Sequence, residues 1–423
     1  MSDRDERAYD GRTRRVAITG IGAVTPIGSG RAGLWAGVTR GASAVDSISR
    51  FDPSPFSCQV AAEVRDFAPR DHLPHKLVHR LDRYAQFAVT AAIMAMTDGK
   101  LDPATLEDGR AGVYLGSALG GVAGAEAEHV KFMDGGLRAV NPLLALSVFG
   151  ASASTNVSMH LGLTGPCVCN ANGCAAGAIA VGEAFQTIRR GELDVAFAGG
   201  AEAPLMPLTF GAFAAIRAMS TRNDEPSRAS RPFDRDRDGF VMGEGAAILL
   251  LEEWDHAVRR GASPLAEVVG FSQTCDAYRM TAPLPDGRQA ARAIRQALAD
   301  AGIGPDAIEY VKAHGSATPL NDPTETLAIR LGLGPQAERV PVSATKGLHA
   351  HALGASGAIE AAIVAIALES GYIPATANLE NLAPDCDLDF VQCEGRVLRP
   401  RYALCNSFGF GGINAALVLR SMQ

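Results

Sequence analysis

Two stretches of this chain follow the same order of elements, and this internal duplication restricts the fold more than any single motif. Residues 84–97 form a predicted apolar helix that leads through a turn into a predicted strand at 111–115. Residues 290–301, with apolar side chains on one helical face, lead in the same way into a predicted strand at 308–313. A small-residue helix follows in each stretch, one opening at Cys174 and the other at Ala355.

The duplication predicts an α/β protein made of two similar halves, each layering helices on a sheet, which together form five layers. Helices rich in Ala and Gly approach a sheet closely, so we expect the two small-residue helices to be central. We divide the chain into a disordered lead-in at 1–14, a first half at 15–260 that carries the nucleophile, and a second half at 261–423. No Pro/Gly/Ser linker separates the halves, so they should share one interface.

Composition excludes several classes of protein. The net charge of −7 and a pI of about 5.8 argue against a nucleic-acid binder. No stretch of 18 or more apolar residues suggests a membrane span, and the densely charged N-terminus does not resemble a secretory signal. Eight cysteines without framework spacing suit a reducing compartment, which predicts a cytoplasmic protein.

Cys174 is the candidate nucleophile. An extended run turns sharply at Asn172-Gly173, and a helix is predicted to begin at or just after Cys174. The N–H groups of a helix start favour a thiolate and can hold a developing oxyanion. A buried structural cysteine is the alternative, and Cys167 and Cys169 fit that description as alternate residues of a strand. A metal site built from these three cysteines is disfavoured by their spacing.

Two histidines stand at matching positions of the second half. His314 follows one predicted strand and His351 follows another, and by the pseudo-symmetry both should face the cleft of Cys174. Either histidine alone would be weak evidence, since most histidines are structural. The glycine-rich run 406–414 carries Phe408 and Phe410, and its amides are placed to donate to an oxyanion unless it is an ordinary tight turn.

Three other patterns fail on their spacing. The glycines after residue 19 lack the third glycine of a dinucleotide loop, because Thr25 stands there. The acidic run 234–239 lacks the closing glutamate of a calcium loop, because Glu244 comes one position early. The run 354–357 is too short for a serine nucleophile elbow.

The segments 16–22, 218–224, 230–234 and 238–245 together are highly specific. By these segments and the site residues above, the chain resembles the β-ketoacyl-acyl-carrier-protein synthases, in particular the elongating class of bacterial fatty-acid and type II polyketide systems. The resemblance covers residues 15–419. It implies a thiolase-like, duplicated five-layered α-β-α-β-α fold.

The resemblance also implies the site residues. It makes Cys174 the acyl acceptor, and it makes the amides of Cys174 and Phe410 the oxyanion hole, with Phe410 as the gating phenylalanine. The catalytic and supporting set it implies is Cys174, His314, His351, Lys346 and Phe410, with Glu325 and Glu360 as carboxylates beside them. Substrate contacts are implied for Ser316 and Thr318 with the pantetheine arm, for Leu119 at the acyl pocket, and for Phe408.

Partners follow from the same resemblance. An acidic acyl carrier protein should dock on Lys76, Arg80 and Arg217, although solvated charge is an equally good account of any one of them. No metal and no cofactor are expected beyond the phosphopantetheine that carries the substrates. The assembly should be a homodimer or a heterodimer with a chain-length factor.

The implied reaction is decarboxylative Claisen condensation of an acyl group on Cys174 with malonyl-carrier protein. Thiolase chemistry is disfavoured, because the loop 408–412 lacks the second cysteine of thiolases. A non-elongating acyltransferase and a chain-length-factor-like partner are the alternatives.

Three departures from the family's pattern lie at the floor and walls of the cleft. Asn172-Gly173 precede the nucleophile and Ala175-Ala176 follow it, His349-Ala350 replaces a Thr-Gly pair, and 142–146 is atypical. We interpret them as altered substrate choice, which suits specialised metabolism. The pathway remains open, since 51–56 resembles aromatic polyketide enzymes and the glycine loop resembles the fatty-acid type.

Overall fold

The structure is a computed structural model that describes residues 13–422. The predicted lead-in of residues 1–14 therefore lies outside the described residues except for its last two positions. One of these, Arg14, pairs with Asp194 at 3.1 Å.

Sixteen strands occur in the described chain. They are β1 Val16–Thr25, β2 Gly28–Ser29, β3 Asp46–Ser47, β4 Val60–Ala62, β5 Ala111–Gly116, β6 Cys167–Asn170, β7 Val195–Glu202, β8 Met242–Gly243, β9 Gly245–Glu253, β10 Ala266–Cys275, β11 Tyr310–Lys312, β12 Val342–Ser343, β13 Tyr372–Ile373, β14 Arg396–Val397, β15 Tyr402–Gly409 and β16 Ile413–Ser421.

Thirteen α-helices occur in the same residues. They are α1 Gly30–Arg40, α2 His75–Val78, α3 Arg83–Asp98, α4 Val122–Gly135, α5 Leu144–Ser147, α6 Ser152–Leu161, α7 Ala176–Arg189, α8 Pro207–Ala215, α9 Trp254–Arg259, α10 Arg288–Ala301, α11 Asn321–Leu333, α12 Lys346–His349 and α13 Ser356–Ser370.

The strands repeat one topology twice. The first half has the order β6-β5-β7-β9-β1 and the second half the order β12-β11-β15-β16-β10. In each half the first three strands are parallel and the last two pairings are antiparallel. The starts of β1 and β10 pair with each other and join the two sets into one sheet. The duplication is thus a repeat of structure as well as of sequence.

The helices complete five layers. Helices α3 and α6 pack on the outer face of the first half, and α10 and α11 do so on the second. Between the two sets of strands lie the small-residue helices α7 and α13. A Cβ at Gly177 would come within 2.8 Å of the carbonyl oxygen of Gly354, and a Cβ at Gly357 within 2.7 Å of the amide of Ala178. Glycine is required at these two crossings, and it brings the starts of both helices together.

Several element predictions needed correction. The strand predicted at 308–313 is limited to Tyr310–Lys312, because a 3₁₀ turn occupies Pro305–Ala307. The first strand continues to Thr25, so the glycines after residue 19 lie inside it. Cys167 is exposed and Cys169 half-buried, because β6 is an edge strand of the sheet, so the prediction that both are buried was wrong. The division of the chain at residue 260 stays a prediction.

One segment resembles a membrane span by length and composition. Among the described residues, the window Leu353–Ser370 has a mean hydropathy of 1.5, but 89% of it is buried within the molecule. It comprises α13 and the turn before it. Its apolar character follows from its place in the central layer, where both faces of the helix contact protein.

Candidate active site

Cys174 lies where a strand turns into a helix. Gly173 has a φ of 53°, in the left-handed region that favours glycine, and Gly173–Ala175 form a 3₁₀ turn that continues as α7. Gly409, at the end of β15, approaches closely, since a Cβ there would come within 3.1 Å of the Cys174 amide nitrogen. The turn and the glycine loop are therefore in contact across the pseudo-symmetric interface.

The thiol of Cys174 is less acidic than its position predicted. Burial raises its pKa to about 11, although Lys346 and hydrogen bonds from the Phe410 amide and its own amide act in the opposite direction. The expectation that the helix start would favour a thiolate was therefore wrong, because desolvation of the charge outweighs the amides. The same two amides flank the sulfur, where the oxyanion of a thioester would form.

The two histidines lie side by side. Their ring centroids are 5.2 Å apart, with the rings nearly perpendicular. His314 follows β11, whereas His351 follows α12 rather than a strand. Phe408 packs 6.1 Å from His314, and Phe240 packs 5.5 Å from His351. Burial, followed by the charge of Lys346, holds the pKa of both imidazoles well below the usual range, so both are neutral.

A polar group lies at the Nδ1 atom of each imidazole. The Nζ of Lys346 is 3.3 Å from Nδ1 of His314, and the hydroxyl of Ser356 is 2.8 Å from Nδ1 of His351. A neutral imidazole that accepts at Nδ1 carries its proton on Nε2. An ammonium group only donates, so His314 presents an Nε2–H group, and His351 does so when the Ser356 hydroxyl donates to it. In the sequence, Ser356 belongs to the run 354–357, which was rejected as a nucleophile elbow. Only the distance between its hydroxyl and His351 identifies it as a residue of the site.

Lys346 is held by a buried carboxylate. Its Nζ donates to Oε1 of Glu360 at 2.6 Å and to the carbonyl oxygen of His314 at 2.5 Å. Burial opposes the charge of Glu360, but Lys312 and Lys346 keep the pKa of that carboxyl below its usual value. Lys312 donates to the same oxygen at 2.9 Å. Nothing in the local sequence singles out Lys312.

Glu325 positions the backbone of the first histidine. Its two oxygens accept from the amides of His314 and Gly315 at 2.7 and 2.8 Å. Complete burial raises its pKa to about 7, an effect that these two amides partly offset. The carboxylate fixes the turn after β11 and does not contact the imidazole by any hydrogen bond of the described residues.

A third buried carboxylate, Glu202, was missed. It ends β7 and accepts from the amides of Ala118, Leu119 and Gly354 at 2.6, 3.2 and 3.0 Å, and from the hydroxyl of Ser117 at 3.1 Å. Burial raises its pKa to about 7. It joins the loop after β5 to the turn before α13. A glutamate at the end of an apolar strand was the only signal available from the sequence.

The predicted residues meet at one cavity of about 410 Å³. The predicted residues among its lining are Cys174, Arg217, His314, Ser316, Thr318, His351, Phe408 and Phe410. The hydroxyls of Ser316 and Thr318 are 3.0 Å apart. Leu119 lies outside this lining, but it packs in the apolar cluster that contains Cys174 and Phe410.

Two of the predicted docking residues lie away from the cavity. Lys76 and Arg80 are exposed on and after α2, and neither lines the cavity. Arg217 is exposed at its mouth. Of the three, only Arg217 therefore has a geometric link to the cavity.

The departure at His349-Ala350 changes the wall behind the site. His349 is fully buried, its Nε2 lies 3.0 Å from the Thr345 hydroxyl, and burial lowers its pKa to about 3. Ala350 has a φ of 58° and a ψ of −164°, a conformation that costs a non-glycine residue about 1–3 kcal/mol. The segment before His351 is therefore strained. Within residues 13–422, no group of three or more His, Cys, Asp or Glu side chains is arranged to hold a metal ion.

Two family models match the chain. Residues 13–257 match the N-terminal domain of beta-ketoacyl synthase, and residues 265–380 match the C-terminal domain. A 3-oxoacyl-[acyl-carrier-protein] synthase 2 from Synechocystis is 44% identical over 97% of this chain and 99% of its own length. A Staphylococcus aureus protein of the same name is 41% identical with the same coverage. The resemblance inferred from the motifs is confirmed.

Solved structures show the same fold. One, described as a type II PKS acyl-carrier protein in complex with its ketosynthase, superposes with a TM-score of 0.91 at 36% identity, covering 97% of this chain and 100% of the other. The ishigamide ketosynthase/chain length factor superposes with a TM-score of 0.90 at 35% identity and the same coverage. The predicted thiolase-like α/β fold is thereby confirmed.

Proposed function

The chain belongs to the β-ketoacyl synthase family, and from that membership we propose that it condenses an acyl group held on Cys174 with malonyl-carrier protein to give a β-ketoacyl-carrier protein. The single observation that carries this proposal is the convergence of Cys174, His314 and His351 on one cavity. The full-length relatives named 3-oxoacyl-[acyl-carrier-protein] synthase 2 support a role in fatty-acid biosynthesis.

The first half-reaction loads the thiol. The sulfur of Cys174 attacks the thioester carbonyl of the acyl-carrier, the carbon–sulfur bond to the carrier breaks, and the proton of the Cys174 thiol passes to the departing carrier sulfur, which leaves as a free thiol. The negative charge on the carbonyl oxygen is stabilised by the amides of Cys174 and Phe410. Because the thiol has a raised pKa, it loses its proton during the attack and not before it.

The second half-reaction forms the carbon–carbon bond. The malonyl carboxylate leaves as carbon dioxide, and the electron pair of the broken bond forms an enolate at the thioester carbonyl. The Nε2–H groups of His314 and His351 donate to the enolate oxygen. The enolate carbon then attacks the acyl group, and the Cys174 thiolate leaves. Neutral imidazoles suit this task, because each donates an Nε2–H hydrogen bond to the enolate oxygen and keeps its proton.

The carrier protein would reach the cavity at its open end. Ser316 and Thr318 line this end and supply hydroxyls to the pantetheine arm, and Arg217 supplies a positive charge to an acidic carrier. A solved relative whose description names a carrier protein in complex with its ketosynthase supports this partner. Lys76 and Arg80 stay predicted docking residues on a more distant part of the surface. The cytoplasm stays the predicted compartment.

A dimer is proposed on the exposed apolar surface. Met133, Leu137, Leu146 and Phe149 are exposed in and around α4 and α5, on the side of the first half that also carries α8 with exposed Leu208. Apolar side chains in such number on one face indicate a protein partner. Either a second copy or a chain-length factor would cover them, and the relative described as a ketosynthase/chain length factor supports the second of these partners.

Release of carbon dioxide tests the reaction class. We expect purified protein to decarboxylate malonyl-carrier protein, His314→Ala to lose this activity by at least about a hundredfold, and Cys174→Gln to retain it. Cys174→Gln would fail to condense. If the wild-type protein releases no carbon dioxide but accepts an acyl group on Cys174, the chain is a non-elongating acyltransferase. If it does neither, it is a partner subunit.

A further inference from the structure

Lys312 is a buried lysine beside the cavity that the reaction described above does not use. It ends β11, its exposed fraction is 0%, and it lies two residues before His314. Its Nζ donates to Oε1 of Glu360 at 2.9 Å and to the carbonyl oxygen of Ala313 at 2.9 Å. Its two acceptors stand in for the water that an ammonium group would otherwise bind.

Lys312 and Lys346 share one carboxylate oxygen. Oε1 of Glu360 accepts from both, at 2.9 and 2.6 Å, whereas its Oε2 accepts no hydrogen bond from the described residues. All three side chains are at most 1% exposed. One negative charge compensates one ammonium group, so the triad of Lys312, Glu360 and Lys346 carries an excess positive charge when both lysines are protonated.

The triad faces His314 through Lys346. Lys346 contacts both the Nδ1 atom and the carbonyl oxygen of this histidine. The titratable groups around the ring come from β11, α11, the segment after α12, α12 itself, α13 and the nucleophile turn. They are Lys312, Glu325, His351, Lys346, Glu360 and Cys174.

We propose that Lys312 is a positioning residue of the condensing site. Lys312 shares Glu360 with Lys346, and it thereby directs the Lys346 ammonium group toward His314 and keeps the His314 imidazole neutral. The inference rests on the proposed function. The electrostatics support it. Burial, Lys346, His351 and Lys312, in this order, lower the pKa of His314.

The sign of the effect follows from the charges. A positive charge near an imidazole disfavours the imidazolium, so removal of Lys312 raises the pKa of His314. As the pH is lowered, His314 of the variant would then become protonated at a higher pH than His314 of the wild type. Removing Lys312 also leaves Lys346 and Glu360 as a one-to-one pair, so the fold should tolerate the change.

The test is the pH dependence of carbon dioxide release from malonyl-carrier protein by Lys312→Met. We expect the acid limb of the pH–rate profile to move up by about one pH unit, which is a loss of about tenfold on that limb. Tyr310→Phe is the matched control. It alters the same strand at a fully buried position and removes the hydrogen bond to Ser343 without a change in charge, so its acid limb should stay with the wild type.

A second readout does not depend on activity. Nitrogen-15 NMR of labelled histidine, with His314 assigned by its loss in His314→Ala, should show the ring protonating at a higher pH in Lys312→Met. A folded Lys312→Met protein with the wild-type acid limb and the wild-type titration of His314 would overturn the inference. If Lys312→Met does not fold, Lys312→Gln, which also lacks the charge, must show the same shift. Wild-type protein that releases no carbon dioxide at any pH would instead overturn the proposed function.

Discussion

The hydrogen-bond partner at Nδ1 of His314 and of His351 determines which nitrogen of each ring is free to contact the substrate. Lys346 is the partner of His314 and Ser356 that of His351, and a hydrogen bond donated to Nδ1 leaves the ring proton on Nε2. In the proposed reaction the two rings donate in parallel to one enolate oxygen. The chemistry of the site therefore depends on Lys346 and Ser356, which contact the imidazoles, as much as on the imidazoles themselves.

Ser356→Ala tests this dependence. Loss of the hydroxyl leaves Nδ1 of His351 without its partner, at a cost of about 1 kcal/mol in the tautomer equilibrium. We expect kcat for carbon dioxide release to fall about fivefold to tenfold, with KM and the urea midpoint unchanged. Ser370→Ala, at the exposed end of the same helix, is the control and should behave as wild type. An unaltered kcat in Ser356→Ala would show that another group sets the tautomer.

At the scale of elements, buried carboxylates tie the two halves around the cleft. Glu202, at the end of β7, holds the loop after β5 and the turn before α13 through four hydrogen bonds. Glu325 does the same for the turn after β11. The strand ends are therefore fixed by acceptors placed under their amides, which keeps the catalytic turns in register across the pseudo-symmetric interface.

Glu202→Gln should lower the free energy of unfolding by about 1–3 kcal/mol, because the amide NH₂ of glutamine would face backbone N–H groups that need an acceptor. The measurement is urea denaturation at pH 7. Glu183→Gln, on α7, removes a partly buried carboxyl for which residues 13–422 supply no hydrogen-bond partner, and it should change stability by less than about 0.5 kcal/mol. Equal effects of the two substitutions would contradict the account of Glu202.

The order and approximate bounds of many of these elements could be predicted from the sequence. The repeated helix-to-strand pattern predicted the two halves. Apolar patterning placed α3 and α10 to within about two residues, and the small-residue runs placed the starts of α7 and α13 as closely. Local context could not predict Lys312 or Glu202, because each meets its partners only through tertiary packing. Ser356 was missed although His351 lies only five residues before it, because the sequence does not show that the two side chains meet. Local context also misjudged Cys174, whose acidity depends on burial and not on the helix start alone.

At the scale of the whole molecule, the exposed apolar side chains around α4 and α5 are not among the residues that line the cavity. Arg217 stands at the cavity mouth, two residues after the end of α8. The proposed partner subunit and the proposed carrier protein would therefore contact different side chains. This arrangement suits an enzyme that must keep its partner while exchanging carriers in each half-reaction.

Arg217→Glu tests the carrier interaction. Reversal of a charge at the mouth should raise KM for malonyl-carrier protein by about tenfold and leave kcat within about twofold. The wild-type KM should also rise with salt, since exposed charges are screened. Arg292→Glu, an equal charge reversal on the exposed side of α10, should leave KM unchanged. A KM unaffected by Arg217→Glu would remove this residue from the docking surface.

The most direct test of the whole account is mass spectrometry of the peptide that carries Cys174, before and after addition of malonyl-carrier protein to the acyl-loaded enzyme. The account predicts an acyl group on Cys174 that disappears as a 3-oxoacyl-carrier, longer by the two carbons of the malonyl unit, is formed with carbon dioxide. An acyl group found elsewhere, or one that stays on Cys174 while carbon dioxide is released, would contradict the coupling of the thiol and the two imidazoles in one cavity.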